Sequence, residues 1–336
     1  MKKLFTLLAL TLSFSMNAQL TAVTEGGSTG QRLSTSNASN HGDIGSNAVD
    51  LSYSNSSSST RGATGNYSVA TGWQTIASGN YSTATGVSTT ASGTESTATG
   101  WQTTARGIGS TAMGEQTTAS GESSTAMGYQ STASGIASTA MGKSTASGTY
   151  STAMGYDTVA SGIGSTAMGR SIASDFASTV IGQYNSSGSS ATSADSFSTS
   201  APAFVIGNGT AINAKSDAFK VMFIGDTTVS NDLTVSGDVV ISSDARLKSN
   251  IVSLGSTLPK LLQIDGKSYE MKGKQKIGVL AQEIKEVFPE LVSEDDNEML
   301  AVNYQGLVPV LINALKEQQS EIDELKEMVQ ELASRD

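Results

Sequence analysis

The side chains that most often do chemistry are nearly missing from this chain of 336 residues. It has no cysteine, which removes thiol nucleophiles, thiolate metal sites and disulfides. His41 is the single histidine. Its polar, low-complexity surroundings predict a solvated loop residue. One imidazole without cysteine cannot build a zinc cluster, so no metal and no cofactor is expected. The acids of the central region (Glu95, Glu115, Glu122, Asp157, Asp175) never recur at one position. Glycoside hydrolysis needs two placed carboxyl groups, so an enzymatic head is not expected. Gly142-Lys143-Ser144 looks like the end of a phosphate-binding loop. That motif needs a glycine five residues before the second one, where Ala137 stands. The formal charge is −10 with no Lys/Arg cluster, which argues against a nucleic-acid partner.

What positions any remaining chemistry is a repeat. One glycine series runs Gly72, Gly86, Gly100, Gly114, Gly128, Gly142, Gly155, Gly169 and Gly182. A second sits seven residues earlier, from Gly65 to Gly162. The unit reads S-T-A-M-G-x-x-T-x-A-S-G-x-x, as from Ser124 onward. A coiled coil is excluded by glycine, serine and threonine at this density. Short alternating runs that turn at glycine instead predict two strands per unit in a stacked solenoid. Ser124 and Ala126 should face one way, Thr125 and Met127 the other. The position before glycine is Thr71, Thr85 and Thr99, then Met113 to Met168, and reads as a core or interchain row. The position after glycine varies as solvent-facing residues do. Its Trp73, Trp101, Tyr129 and Tyr156 are read as exposed turn residues, with a ligand-stacking row as the alternative. Hydrophobic residues make up 37%, below the ~45–50% usual for globular chains, so the core is expected to be shared between coils and chains.

This unit closely resembles the head repeat of YadA-like trimeric adhesins, a left-handed parallel β-roll formed by three chains. The resemblance covers about 61–183. It implies a homotrimeric surface fibre that binds a host-surface, matrix or glycan ligand or serves as a spacer. The family's outer-membrane anchor is not expected to carry over.

Charge rises from about Ser243, where 17 Asp/Glu and 11 Lys/Arg fall in the last 94 residues. Leu233-Thr234-Val235 and Val239-Val240-Ile241 read as strands of a transition before it. The end reads as a helix with Val308, Leu315, Ile322 and Val329 at heptad a, and Leu311, Gln318, Leu325 and Leu332 at d. That seam predicts self-association as a coiled coil over about 305–334. Between them stand Ser243-Asp244-Ala245-Arg246-Leu247-Lys248-Ser249-Asn250-Ile251, then Gly278-Val279-Leu280-Ala281-Gln282-Glu283, then Val302-Asn303-Tyr304. This set is similar to the intramolecular chaperone domain of endosialidase-type phage tailspikes. The resemblance implies a domain that assists trimeric fibre folding and then cuts itself off, once per chain, with a Ser–Lys dyad. The matching residues are Ser243 and Lys248, and the cut lies between Ser242 and Ser243. The chemistry is consistent: a serine hydroxyl needs a base, and a lysine can serve where the single histidine, His41, lies far off in the sequence and cysteine is missing. Asp244 and Arg246 are expected to cap and orient the turn, and Gln282 and Glu283 to have a structural or assembly role.

The start, MKKLFTLLALTLSFSMNAQ, looks like a secretory signal peptide: basic Lys2 and Lys3, an apolar run from Leu4 to Phe14, and Ala18 before the cut. No later run is apolar enough for a transmembrane anchor. The expected order is signal peptide 1–18, low-complexity polar leader 19–60, head repeats 61–184, β-rich transition 185–242 and α+β chaperone domain 243–336. The fold class is mainly β. The expected product is a secreted or cell-surface trimeric fibre with a self-cleaving chaperone; the alternative is an uncleaved adhesin or spacer without peptidase activity.

Overall fold

The computed structural model describes residues 20–295 and 298–334. The expected signal peptide lies outside the described residues. The chain divides into two compact units, Met1–Ser236 and Gly237–Asp336.

The first unit is a parallel β-solenoid of about 11 turns. Thr97–Trp101, Thr111–Glu115 and Thr125–Tyr129 stack in register, alanine on alanine and glycine on glycine. Two-residue strands such as Thr104–Ala105 and Thr118–Ala119 form the second column. The alternation turns the alanines of the stacked strands inward: Ala98, Ala112, Ala126, Ala105 and Ala119 are all fully buried. The Thr/Met row lies half-buried or exposed on the outer face. The core within one chain is therefore an alanine column, and the methionines are not part of it.

The two glycine series have different causes. Gly100 has φ +127°, and a Cβ there would run into the carbonyl oxygen of Gly114. Gly93 has no left-handed φ, yet a Cβ would collide with Gly107 of the next coil. Close approach alone requires that second series. The left-handed residues of that turn come two positions later, at Tyr67, Tyr81 and Glu95. The 13-residue step from Gly142 to Gly155 drops the left-handed residue that Gln130 supplies one coil earlier, so Thr139–Ala146 runs on as one strand.

The stack extends past the glycine series at both ends. Val49–Tyr53 pairs in parallel with Val69–Trp73. The hairpin of Leu20–Glu25 and Ser28–Leu33 leans on it through Gln31 and Arg32. The polar stretch read as a leader thus forms the first coil and its cover. At the other end Pro202–Asn208 stacks on Thr179–Gln183, with Gly207 on Gly182. Asp217–Met222 and Thr227–Val229 then continue antiparallel. The strands expected at Leu233–Val235 and Val239–Ile241 do not form. Their backbone finds no partner strand among the described residues, and Val240 is 88% exposed.

The second unit holds a hairpin (Lys267–Met271 with Lys274–Gly278), a short strand pair (Val292–Glu294 with Leu300–Val302) and three helices. These are α1 (Leu258–Leu261), α2 (Ala281–Val287) and α3 (Leu307–Ala333, 27 residues). Ile284, Phe288 and Val310 form its core, with Leu261, Val279 and Val302 against them. Helix α3 buries Val310 and Ala314. Its heptad seam points elsewhere: Val308, Leu315, Ile322, Leu325, Val329 and Leu332 are all exposed. Among the described residues no helix is long and apolar enough to cross a membrane.

Candidate functional site

The second unit opens on an exposed segment that carries one 3₁₀ turn, Ala245–Leu247. Asp244 is its N-cap, and its carboxylate accepts the Arg246 backbone N–H at 2.9 Å. The same carboxylate holds the Arg246 guanidinium through Nε at 3.0 Å and Nη2 at 2.7 Å. Those hydrogen bonds hold Asp244 below the ordinary carboxylate range and raise Arg246. The turn closes when the Lys248 N–H donates to the Ala245 carbonyl at 3.1 Å. Ser243 and Lys248 therefore flank a single tight turn, and the structure brings their side chains together. Lys248 Nζ donates to Ser243 Oγ at 2.8 Å. Ser242 immediately precedes them outside any helix or strand, and all three residues are exposed. Leu247, Ile251 and Val252 beside the pair are also exposed.

Residues 63–171 match the family model of the YadA head domain repeat. Residues 243–293 match the model described as Chaperone of endosialidase, beginning at Ser243. The chain thus carries head repeats and a chaperone module in that order. The second match stops before helix α3. No curated protein matches the chain.

The remaining motif residues are packing elements in this structure. Glu283 bridges to Lys267 at 3.3 Å and accepts the Asp265 N–H at 3.4 Å, tying α2 to the start of the hairpin. Gln282 lines a cavity of about 330 Å³ with Tyr269 and Tyr304. The Tyr304 hydroxyl accepts the Val279 N–H at 3.2 Å, and Gly278 leaves no room for a Cβ beside it.

His41 differs from its expected solvated state. Its ring is buried, with Nδ1 3.0 Å from Asp50 Oδ2. Arg32 Nε reaches the same oxygen at 3.2 Å, and Arg32 also pairs with Glu25 at 2.7 Å. Asp50 stands in register with Ala70, so it occupies the alanine column at the first coil. Asp175 plays a related part at the far end. It occupies a glycine position of the second series and accepts the Thr192 and Ser193 N–H groups at 2.6 and 2.8 Å. Reading the sequence missed Arg32, Asp50 and Asp175 as a set. The usable signal was a lone acid replacing glycine at 175.

Of the aromatic row, Trp73, Trp101 and Tyr129 are exposed, but they are the last residues of the long strands and not turn residues. Tyr156 is sandwiched, with Lys143 Nζ 4.7 Å and Arg170 Cζ 4.9 Å from its ring centre. Cations already occupy its faces, so it is not a free stacking platform.

Proposed function

We propose that this chain is exported and assembles with two further copies into a surface fibre, and that its C-terminal module guides assembly and then cuts itself away. The observation that carries the cut is the 2.8 Å contact between Lys248 Nζ and Ser243 Oγ. The half-buried Thr/Met face and the exposed α3 seam support association, since both leave apolar surface uncovered by the described residues.

In the proposed step the Ser243 hydroxyl attacks the carbonyl carbon of Ser242. Lys248, as the neutral amine, accepts the hydroxyl proton across the same contact. The Ser242–Ser243 C–N bond breaks and the nitrogen takes up the proton. The Ser242 acyl group is left as an ester on Ser243 Oγ. Water then hydrolyses the ester to a Ser242 carboxylate and a free Ser243 amino terminus. The attack is intramolecular, so no translational entropy is lost in the step. An ammonium must lose its proton before it can act as a base, and desolvation favours that loss. Neighbouring chains that cover the exposed turn would supply it, so cutting follows assembly. Parallel strands pair slowly and can slip; an irreversible cut after correct pairing leaves the fibre kinetically trapped.

Intact-mass spectrometry of the assembled protein tests this. The expected products end at Ser242 and begin at Ser243. A fully assembled protein with only uncut chains would instead support an adhesin or spacer with a permanent chaperone module.

A further inference from the structure

The lower end of the solenoid contains a cavity of about 300 Å³, large enough for one sugar unit, that the fibre-and-chaperone reading does not use. We propose that it binds a carboxylated sugar of the hexuronate type. Its walls combine three chemistries. Arg170 and Lys215 supply two cations. Asp157 supplies hydrogen-bond acceptors. Ile172, Ile212 and the ring of Tyr184 supply an apolar side.

Lys215 has no partner among the described residues, and Arg170, stacked between the Tyr156 and Tyr184 rings, keeps N–H groups at its edge. Arg170 donates Nη2 to Asp157 Oδ2 at 3.2 Å, and its guanidinium lies 5.0 Å from the Tyr184 ring centre. Its remaining N–H groups find no acceptor among the described residues. Lys215 lies at the end of the small turn that carries Ile212. Asp157 is held ionised, since hydrogen bonds from Lys143 and then Arg170 keep its carboxyl below the ordinary range. Asp157 is shared between Lys143 at 3.0 Å and Arg170 at 3.2 Å. The cavity therefore offers net positive charge in a chain whose formal charge is −10. A ligand that fits needs a carboxylate for Arg170 and Lys215, hydroxyl donors for Asp157, and a C–H face for Tyr184 and the isoleucines. A sugar acid carries all three; a neutral sugar lacks the first and a simple carboxylate the other two.

This site follows from the loss of one residue per short coil. The step from Gly169 to Gly182 is 13 residues and lacks the left-handed residue that Asp157 provides one coil earlier. That places Asp157 beside Arg170 instead of above another bulged turn. The inference holds whether or not the chain is cut.

The test is ligand-detected NMR titration of the full chain with D-glucuronate, with D-glucose and acetate as controls. Glucuronate should bind about tenfold or more tightly than either control, because each loses a recognised group. Lys215→Met and Arg170→Met should each weaken glucuronate by about tenfold, while the remote Trp101→Ala keeps full binding. Circular dichroism of each variant checks that the fold is retained. No glucuronate binding, equal binding of glucose or acetate, or an unchanged affinity in Lys215→Met with a native spectrum would overturn the proposal.

Discussion

Asp50 Oδ2 lies 3.0 Å from His41 Nδ1, and both side chains are closed to solvent. The pair seals the first coil, beneath which no further coil lies among the described residues. Gly62, at φ +91°, is required beside it because a Cβ would run into the Asp50 carboxylate. A buried charge is tolerated only when paired, and Asp50 is paired with Arg32 and His41 and also accepts Ser52 Oγ at 2.6 Å.

Asp50→Ala should cost about 3 kcal/mol, because it removes the buried carboxylate from His41 and from Arg32 Nε and leaves Arg32 paired with Glu25 alone. Hydrogen exchange should show the loss first in residues 20–60, with the central coils still protected. Burial alone would raise the Asp50 carboxyl; hydrogen bonds from His41 and Ser52 outweigh it and hold the group below its ordinary value. The stabilisation it contributes is therefore present above the unfolded carboxyl's value and lost as pH falls through the lower folded one. Acid titration followed by exchange in residues 20–60 checks this; an end that loosens on alkaline titration instead contradicts it.

Gly100→Ala should disrupt the stack, because the new methyl meets the backbone of Gly114 and the φ of +127° is closed to alanine. Gly109→Ala is the contrast. Its φ is +63°, and the nearest atom to a new Cβ is Ser123 Oγ at 3.7 Å. It should cost only about 1 kcal/mol, the ordinary left-handed penalty. Chemical denaturation of the two variants side by side separates close approach from conformation as the reason for glycine.

The central coils were legible because every coil repeats the same local answer: the strand alanine inward, the threonine just before it outward, glycine where backbones touch. The ends were not, because the repeat fails there. Nothing in the spacing of His41 and Asp50 shows that they meet; the register that joins them comes from the hairpin carrying Arg32. Pro202–Asn208 was hidden by the intervening loop, although Val205-Ile206-Gly207 copies Val180-Ile181-Gly182. The contact between Ser243 and Lys248 depends on a turn capped by Asp244, and the local sequence carries that turn.

Leu325→Asp should abolish self-association without unfolding the second unit. Leu325 is 57% exposed on the seam of α3, whereas the helix packs on its own module through Val310 and Ala314. A charge in a coiled-coil seam must be desolvated to pair. Sedimentation velocity should show a smaller species with unchanged helical circular dichroism.

Glu317 ties α3 to the start of α1. Its carboxylate accepts Ser256 Oγ at 2.7 Å and the backbone N–H groups of Thr257 and Leu258. The Thr257 N–H and then Ser256 hold the carboxyl low, so this tie is present above the ordinary carboxyl value and lost as pH falls through the depressed one. Glu317→Ala should speed amide exchange at Thr257 and Leu258 and leave Phe288 protected. Unchanged exchange at both amides contradicts the tie.

The most direct test of the central claim compares the rate at which a fragment beginning at Ser243 appears in wild type, Ser243→Ala and Lys248→Met after assembly. Both substitutions fall on exposed side chains, so all three proteins should assemble alike. The account predicts the fragment in wild type only. Cutting of Lys248→Met at the wild-type rate, or no cutting of assembled wild type, would contradict it.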